Sequence, residues 1–413
     1  MGSAETWDAP LCRTVALSCP AVSACLVIDS FLGGGGTGGI RMGEHVTQEE
    51  VAALAREMSL KFAWLNIPRG GAKAGISCAH ALTDELRYKV LDEFGAAIKD
   101  VLQSGRYIPG LDLGIGASDL SRILRAAGID SAGSAPSKDI DSNYFTALTV
   151  FVALDALLRH RGRQVQGTTF LVEGIGKVGS HLLQLIDDAG GIIVGVSTIV
   201  GAAIDPEGID VRRLLTLKGE HGDACTARLE TGQFLPPGEL FWQAADVLVP
   251  GARTDSIRSD DVGRLQVRFI VPIANAVATP DTELELYNAG VAFIPGFVSN
   301  SGGIFCWYLS RLEAAGRLRM IRRDFGNKVR RLVAEADRRQ MAIAQLARQQ
   351  ADASAKRMNA EANGPPLARL AGMLRKLTPR RIGYVAMRKL LGKRWASKDS
   401  VLCRWYFQAR YFR

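Results

Sequence analysis

A strand, a glycine turn and the start of a helix can be recognised in residues 170–179, which read Phe170-Leu171-Val172-Glu173-Gly174-Ile175-Gly176-Lys177-Val178-Gly179. The glycines follow the spacing Gly-x-Gly-x-x-Gly, and a second apolar strand is predicted at Ile192–Val196. In such a unit the first glycine makes a tight turn, the second admits a pyrophosphate, and the third packs helix on strand. Free N–H groups at the helix start attract phosphates. The sequence therefore predicts a Rossmann-type dinucleotide-binding domain.

The residue that would bind the adenine ribose is not of the expected type. An Asp or Glu is usual about 20 residues after the glycine motif, but the second strand ends in Ser197 and Thr198. No arginine that could bind a 2′-phosphate follows immediately. The expected cofactor is NAD or NADP, and the choice between them stays open.

The composition is that of an ordinary globular protein. Of 413 residues, 47% are hydrophobic and 23% are charged, and the formal net charge is +9. This length allows two or three domains. The seven cysteines show neither Cys-x-x-Cys nor paired Cys/His spacing, which argues against a zinc site and a disulfide framework. We expect no metal, and a cytoplasmic location.

The N-terminal part of the chain predicts a second α/β region. Ala21–Phe31 is typical of a buried strand. Gly33–Gly39, with six glycines in seven residues, predicts a turn or a ligand-contacting loop. Thr47 and Glu50 have the spacing of a capping box, which would start a helix reaching about Phe62.

Pro68–Ile76 carries Lys73 in what the glycine content predicts to be a turn. Glycine lets backbone approach a ligand closely, and a lysine held in an apolar setting can act as a base or nucleophile because its pKa is lowered. A solvated surface lysine is the alternative, and this segment alone leaves both open. Tyr107–Gly114 predicts a strand that ends in a glycine turn, with Asp112 at its edge.

Further helices and strands alternate along the rest of the chain. Helices are predicted at Thr83–Val101, Thr146–Arg159 and from Trp307 to about Arg357, strands at Ala245–Val249, Phe269–Val271 and Val291–Ile294, and a hinge at Ser131–Ser142. Strands alternating with helices are typical of an open parallel sheet.

The C-terminal residues are basic and rich in aromatic side chains. Residues 367–413 contain a single acidic residue, Asp399. Such a tail could contact RNA, an anionic membrane or an acidic partner. A packed helical extension with a solvated basic face is the alternative, and we favour it.

Seven motifs occur in a fixed order: Gly-Gly-Ile-Arg-Met (38–42), Leu-Lys-Phe-Ala (60–63), Gly-Gly-Ala-Lys-Ala-Gly (70–75), Ile-Pro-Gly-Leu-Asp-Leu-Gly (108–114), Gly-Ile-Gly-Lys-Val-Gly (174–179), Ala-Asn (274–275) and Ile-Pro-Gly-Phe-Val-Ser-Asn-Ser-Gly-Gly (294–303). Together they resemble the glutamate/leucine/phenylalanine/valine dehydrogenases over about residues 25–345. The resemblance implies reversible NAD(P)-dependent oxidative deamination of an L-amino acid to a 2-oxo acid and ammonia, and a homo-oligomer.

The resemblance also implies roles for single residues. Lys61 would hold the substrate α-carboxylate, Lys73 would activate water against the imine, and Asp112 would carry protons to and from the amine. A fixed cation and an acid–base pair working near neutral pH suit this chemistry. At the cofactor, the implied residues are Gly174, Ile175, Gly176, Lys177, Val178 and Gly179 for the pyrophosphate, Thr146 and Asn275 for the nicotinamide half, and Ser197 and Thr198 for the ribose.

Departures from the family pattern bear on the substrate. Glutamate-specific members have a lysine just before Gly38-Gly39 and a serine after the Gly302-Gly303 pair, where this chain has Thr37 and Trp307. A buried side-chain carboxylate without those partners would be costly. We therefore expect a non-acidic, hydrophobic L-amino acid, bound by Gly38, Gly39, Thr37 and Trp307, with glutamate as the alternative.

Three further departures concern the cofactor: Thr198 replaces an acidic residue, Ala147 a glycine and Asp255 an asparagine. They leave a second alternative, a homologue with altered catalysis that acts as a regulatory or binding protein through its basic tail.

The expected fold class is α/β with two domains and a helical C-terminal extension. We predict an N-terminal substrate and oligomerisation domain at residues 1–140 and a doubly wound Rossmann domain at 141–300. A helical segment at 301–362 would return to the first domain, and 363–413 would form the basic tail. The cleft between the two domains would close for hydride transfer.

Overall fold

In the computed structural model the described residues are 10–78, 82–130, 141–309 and 314–363. They form two compact units. The first unit takes the described residues before 131 and those from Gln350 onward, and the second takes those from 141 to Gln349. Most of the predicted hinge and the basic tail beyond residue 363 lie outside the described residues, as does the side chain of Trp307.

The first unit is built on a five-stranded sheet with the strand order β1-β2-β4-β3-β5. The strands are β1 (Leu11–Val15), β2 (Val22–Ile28), β3 (Gly36–Gly43), β4 (Gly70–Cys78) and β5 (Tyr107–Leu111). The helices are α1 (Gln48–Trp64), α2 (Asp84–Ala97), α3 (Lys99–Gln103) and α4 (Ala117–Ala126). Strands β3, β4 and β5 are parallel, whereas β2 is antiparallel to β1 and β4.

The two faces of this sheet are covered by different helices. Ile40, Ala72 and Ala74 belong to a core that also contains Phe94 of α2 and Ile123 of α4. On the other face, Val27 packs with residues of α1. Because successive side chains of a strand point to opposite faces, Lys73, between Ala72 and Ala74, lies on the α1 face.

The start of α1 agrees with the sequence prediction. Thr47 caps the helix, and its hydroxyl oxygen accepts a hydrogen bond from the Glu50 backbone N–H at 3.1 Å. The helix predicted at Thr83–Val101 is instead two helices, α2 and α3, which are separated at Ile98.

A turn or ligand-contacting loop was predicted at Gly33–Gly39 and a turn around Lys73. The 3₁₀ turn at Leu32–Gly34 agrees with the start of the first prediction, whereas the turn around Lys73 was wrong. Gly36–Gly39 opens strand β3, and Lys73 lies in the middle of strand β4. The glycines are needed here because neighbouring elements pack closely, not because the chain turns. A Cβ on Gly36 would lie 2.8 Å from the Ala72 Cβ, and one on Gly71 would lie 2.2 Å from the Ser59 backbone nitrogen.

The second unit contains a seven-stranded sheet with the order β12-β11-β10-β6-β7-β8-β9. The strands are β6 (Thr169–Glu173), β7 (Ile192–Ser197), β8 (Ala202–Ile204), β9 (Gln233–Leu235), β10 (Val247–Val249), β11 (Phe269–Ile270) and β12 (Ala292–Phe293). The parallel order from β12 to β7 confirms the predicted Rossmann-type sheet. The antiparallel strands β8 and β9 at its edge were not predicted.

Helices surround this second sheet in the α/β pattern that the sequence predicted. They are α5 (Ser142–His160), α6 (Lys177–Asp188), α7 (Val211–His221), α8 (Pro280–Asn288), α9 (Gly296–Ser299), α10 (Gly302–Tyr308), α11 (Ala314–Met320), α12 (Gly326–Arg339) and α13 (Ile343–Asn363), with a π-helical turn at Ile321–Phe325 between α11 and α12. Among the described helices, none has both the length and the apolar character needed to cross a membrane.

The C-terminal part of α13 belongs to the first unit. Asp352 pairs with Arg56 of α1 at 3.0 Å, and the Arg357 guanidinium donates to the Asn66 side-chain oxygen at 2.8 Å. These polar contacts attach the end of the described chain to the C-terminal half of α1 and the residues after it.

Candidate active site

Lys73 and Asp112 meet on the α1 face of the first sheet. Lys73 Nζ forms an ion pair with Asp112 Oδ2, and Arg41 Nε donates to the same oxygen at 3.1 Å. The exposed fractions of the Lys73 and Asp112 side chains are 7% and 18%. Three neighbouring parallel strands thus place a buried lysine, a carboxylate and a guanidinium together. The sequence analysis gave Arg41 no role. Arg41 and Gly39 are two residues apart in one strand, so both lie on the same face of the sheet.

Glycines allow Asp112 to lie this close to β3. A Cβ on Gly39 would be 2.8 Å from the Asp112 Cβ. Gly114 has a φ of +75°, and a Cβ there would be 1.9 Å from the Met42 carbonyl oxygen. The Met42 backbone N–H donates to the Leu113 carbonyl at 2.9 Å, and Arg87 donates to the Gly114 carbonyl at 2.6 Å. The turn after β5 is therefore fixed against the end of β3.

The surroundings shift the ionisation of both groups. Burial lowers the pKa of Lys73, which Asp112 opposes and Arg41 reinforces. Burial alone would raise the pKa of Asp112, but the charges of Lys73 and Arg41 outweigh it and hold that pKa below its usual range. The lysine is consequently easier to deprotonate than a surface lysine, while the aspartate stays a carboxylate.

Lys61 is a second buried cation in the same unit. It lies in the last turn of α1 and is 5% exposed. Burial lowers the pKa of Lys61 to about 8, while Glu57 one turn earlier raises it and the charge of Lys73 lowers it. At neutral pH Lys61 is thus positively charged in an otherwise desolvated position, where it can bind an anionic group strongly.

The predicted substrate residues Thr37, Gly38 and Gly39 lie on β3. A Cβ on Gly38 would be 1.6 Å from the Ala72 carbonyl oxygen, so only glycine fits beside β4. Thr37 shares the α1 face with Gly39, and Ile108, its partner on β5, is 48% exposed. Trp307 lies in α10 of the second unit, and its side chain is outside the described atoms.

Arg69 is a neighbour of Thr37 that the sequence did not reveal. The residue precedes β4, and its Nε donates to Thr37 Oγ1 at 2.8 Å. Its Nη2 also donates to the carbonyl oxygens of Gly36 and Gly105 at 3.4 and 3.3 Å. The register of β3 against β4 creates this contact, and no local motif encodes that register.

In the second unit, the glycine motif has the geometry of a pyrophosphate cradle. Gly174 has a φ of +89°, and a Cβ on Gly179 would lie 2.0 Å from the Gly174 carbonyl oxygen. Gly176 caps α6, yet a Cβ on it would meet nothing within 4 Å. The turn is therefore tight at Gly174 and Gly179 and open at Gly176, as a phosphate at a helix N-terminus requires.

The other motif residues belong to the same turn and helix. Ile175 is buried, whereas Lys177 and Val178 begin α6. Glu173, just before the turn, accepts hydrogen bonds from the backbone N–H groups of Gly251 and Ala252, each at 3.1 Å. This carboxylate joins the ends of β6 and β10 and fixes the rim of the cradle.

Ser197, predicted at the ribose, ends strand β7, and Thr198, predicted there too, follows it. The Ser197 carbonyl accepts a hydrogen bond from the Gly174 N–H at 2.9 Å, which links β7 to the glycine turn. Thr198 is buried, and its hydroxyl donates to the Asp223 carbonyl at 2.6 Å. Its hydroxyl thus bonds within the fold, and the exposed side chain that follows is the apolar Ile199.

Thr146 and Asn275, predicted at the nicotinamide half, both lie beside the 294–303 motif. A Cβ on Gly303 would lie 3.4 Å from Thr146 Oγ1. Asn300 donates to Asn275 Oδ1 at 3.0 Å and to the Ile273 carbonyl at 2.8 Å. Asn300 thereby orients Asn275, a role that its place in the 294–303 motif did not reveal.

Comparisons with known proteins cover both units. The model of the Glutamate/Leucine/Phenylalanine/Valine dehydrogenase family matches residues 140–370, and that of the Glu/Leu/Phe/Val dehydrogenase dimerisation domain matches 21–127. The NAD-specific glutamate dehydrogenase of Staphylococcus aureus (strain COL) is 29% identical over 287 residues, which cover 67% of this chain and 69% of the relative.

Two solved structures show the same fold. The hetero-hexameric glutamate dehydrogenase of Thermus thermophilus has a TM-score of 0.71 at 23% identity, covering 87% of this chain and 91% of that one. The L-tryptophan dehydrogenase of Nostoc punctiforme has a TM-score of 0.58 at 22% identity, covering 86% and 96%.

The class of protein follows from these matches: it is an amino acid dehydrogenase, an oxidoreductase that uses NAD or NADP. Within that class, the chain belongs to the Glu/Leu/Phe/Val dehydrogenase family. The open position at Gly176, above the N-terminus of α6, fits the pyrophosphate of such a cofactor.

Proposed function

We propose that the protein catalyses the reversible oxidative deamination of an L-amino acid to a 2-oxo acid and ammonia, with Lys73 and Asp112 as catalytic residues. The observation that carries this proposal is their buried ion pair, on the sheet face that also carries Arg41. In this assignment residues 1–140 form the substrate domain, residues 141–300 the dinucleotide domain, and residues 301–362 a helical return.

In this proposal, residues of the first unit bind the substrate and transfer protons. Lys61, a buried cation, binds the α-carboxylate and fixes the orientation of the substrate. When bound, NAD(P) supplies the acceptor for the hydride that leaves Cα. Lys73, with its lowered pKa, takes a proton from the water that attacks the imine carbon. Asp112 exchanges protons with the departing amine, because its carboxylate stays ionised beside Lys73.

For the substrate side chain we propose a non-acidic, hydrophobic group. Thr37 is uncharged, and Ile108 exposes apolar surface beside it on the same sheet face. Trp307 stays a predicted substrate-binding residue, from its place in the family motif alone. An apolar side chain would bury the exposed part of Ile108, which stabilises binding by about 25 cal/mol per Å² of apolar surface.

Glutamate is the second candidate, because Arg69 brings a guanidinium to Thr37. A substrate carboxylate bound beside Thr37 could pair with the Arg69 guanidinium, which supplies the positive charge that the threonine does not. The name of the Staphylococcus aureus relative, an NAD-specific glutamate dehydrogenase, is compatible with this candidate.

A panel of amino acids assayed by NAD(P)H absorbance separates the two candidates. If the substrate is hydrophobic, leucine, valine or phenylalanine is oxidised faster than glutamate. Ile108→Ala then lowers kcat/KM for these substrates about tenfold or more, and Arg69→Met has little effect. Glutamate as the fastest substrate, with its kcat/KM lost in Arg69→Met and kept in Ile108→Ala, would instead establish the glutamate enzyme.

We further propose that the protein is a cytoplasmic homo-oligomer. Cys12, Cys19, Cys25, Cys78 and Cys225 are free thiols, as a reducing compartment favours. The hexameric state in the name of the Thermus thermophilus structure supports an oligomer, which light scattering on the purified chain tests. Contact of the basic tail with RNA, an anionic membrane or an acidic partner stays a prediction, tested with a chain that ends at residue 363.

A further inference from the structure

Arg41 connects the Lys73–Asp112 pair to helix α1. Its Nη1 lies 2.5 Å from Glu50 Oε1, and its Nε lies 3.1 Å from Asp112 Oδ2. The Arg41 side chain is 13% exposed. Glu50 lies in the first turn of α1, where Thr47 caps the helix through the Glu50 N–H. The guanidinium is therefore fixed at both ends between a capped helix and the carboxylate.

Asp112 Oδ2 consequently accepts hydrogen bonds from two cations at once. If Lys73 were its only partner, the Asp112 carboxylate would stabilise the protonated form of the lysine with its full negative charge. Sharing the oxygen with Arg41 weakens that stabilisation, and the positive charge of Arg41 also repels the ammonium group.

We propose that Arg41, anchored by Glu50, is a positioning residue that divides Asp112 between itself and Lys73, so that Lys73 can lose its proton during turnover. The proposal rests on the proposed function only in taking Lys73 as the base. Neither Arg41 nor Glu50 needs to touch the substrate for this role.

The electrostatics around Lys73 agree with this geometry. Burial is the main cause of its lowered pKa; Asp112 and Glu50 raise that pKa, whereas Arg41 lowers it. The charged groups on this sheet face come from several elements. They are Arg41 from β3, Arg69 before β4, Asp112 after β5, Glu50, Glu57 and Lys61 from α1, and Asp29 after β2, which pairs with Arg56 of α1 at 3.6 Å. Arg41 and Glu50 act on Lys73 with opposite sign.

Because Arg41 lowers the pKa of Lys73 and Glu50 raises it, removing each charge should shift that pKa in opposite directions. A purely structural role of Arg41 would not produce these opposite shifts. In Arg41→Met, the midpoint of the acid limb of the kcat profile moves to higher pH by about one to two units. In Glu50→Gln, which keeps a hydrogen-bond acceptor for Arg41, the midpoint moves to lower pH. In Arg41→Lys, the charge remains but the forked contact is lost, so kcat falls while the midpoint stays near that of the wild type.

Competitive labelling of Lys73 with acetic anhydride at a series of pH values, read by mass spectrometry of its peptide, gives the ionisation without reference to activity. The midpoints should move in the same directions as in the kcat profiles. Arg122→Met is the matched control, because Arg122 forms a half-exposed ion pair with Asp92 elsewhere in the first unit, and its midpoint should equal the wild-type value.

A Lys73 labelling midpoint that is unchanged or lowered in Arg41→Met, or raised in Glu50→Gln, overturns the proposal. These results differ from a failure of the proposed function, in which Lys73→Met would keep its activity whatever the labelling shows. Should Arg41→Met not fold, Arg41→Lys takes its place: a kcat equal to that of the wild type would overturn the proposal, because this variant loses the forked contact with Glu50 and Asp112.

Discussion

Lys73 of β4 and Asp112, in the turn after β5, form a buried ion pair across β3, the strand that lies between theirs. The strand β3 leaves room for this pair because Gly39 has no side chain at the point of closest approach. Burying both charges costs free energy, and only a close, hydrogen-bonded geometry offsets that cost. In this pair the buried Asp112 stays ionised, and Lys73 is easier to deprotonate than a surface lysine. Acid–base chemistry near neutral pH needs groups in these ionisation states.

The two partners of this ion pair should differ in what their removal costs. Asp112→Leu leaves Lys73 and Arg41 without their shared acceptor, so we expect the free energy of unfolding to fall by about 3–5 kcal/mol. Lys73→Met leaves Asp112 paired with Arg41 and should cost less. Urea denaturation of both variants and of the double variant checks this. A larger loss in Lys73→Met than in Asp112→Leu would contradict the shared-acceptor geometry.

Substrate binding should depend on the ionisation of Lys61. Since burial lowers the pKa of Lys61 from 10.5 to about 8, the side chain is charged at pH 7 and loses its proton as pH rises through about 8. The KM for the 2-oxo acid, which has no titrating amine, should therefore rise above that pH. Lys61→Arg stays charged, so its KM should be flat over the same range.

Lys89→Arg is the control for the Lys61 experiment, because Lys89 is an exposed lysine of α2 in the same unit. Its KM profile should follow that of the wild type. A rise in KM that persists unchanged in Lys61→Arg would show that another group binds the carboxylate.

The glycines of the dinucleotide turn should respond differently to alanine. At Gly176 a Cβ meets nothing, so Gly176→Ala should keep the thermal stability and weaken NAD(P) binding, since the methyl group occupies the place of the pyrophosphate. At Gly179 a Cβ would lie 2.0 Å from the Gly174 carbonyl oxygen, so Gly179→Ala should destabilise by about 1–3 kcal/mol. Calorimetry and fluorescence titration with NADH separate the two effects. Unaltered NADH affinity in Gly176→Ala would argue against a pyrophosphate there.

Elements that depend on contacts between residues close together in the chain could be predicted from the sequence. The Thr47–Glu50 spacing predicts the start of α1, because the cap is a hydrogen bond within four residues. The Gly174–Gly179 turn is likewise predictable, because each glycine has its own steric reason. Motif order placed Lys73 and Asp112 in one site, and the structure adds that they touch.

Features that depend on strand register could not be predicted. Gly36–Gly39 and Gly70–Gly71 have the composition of turns, yet they are strands because β3, β4 and α1 pack closely through them. The contacts of Arg69 with Thr37 and of Arg41 with Asp112 arise from the same register. The edge strands β8 and β9 were not predicted either.

The central claim, that Lys73 is the base of an amino acid dehydrogenase, is tested most directly by the rate of NAD(P)H formation in Lys73→Met with the best substrate of the wild type. Fluorescence titration should show that this variant still binds the dinucleotide, which belongs to the second unit. We predict that its kcat falls by a factor of about 10²–10⁴, the usual contribution of a positioned acid–base group. A variant that binds NAD(P)H and turns over within about tenfold of the wild type would contradict the account.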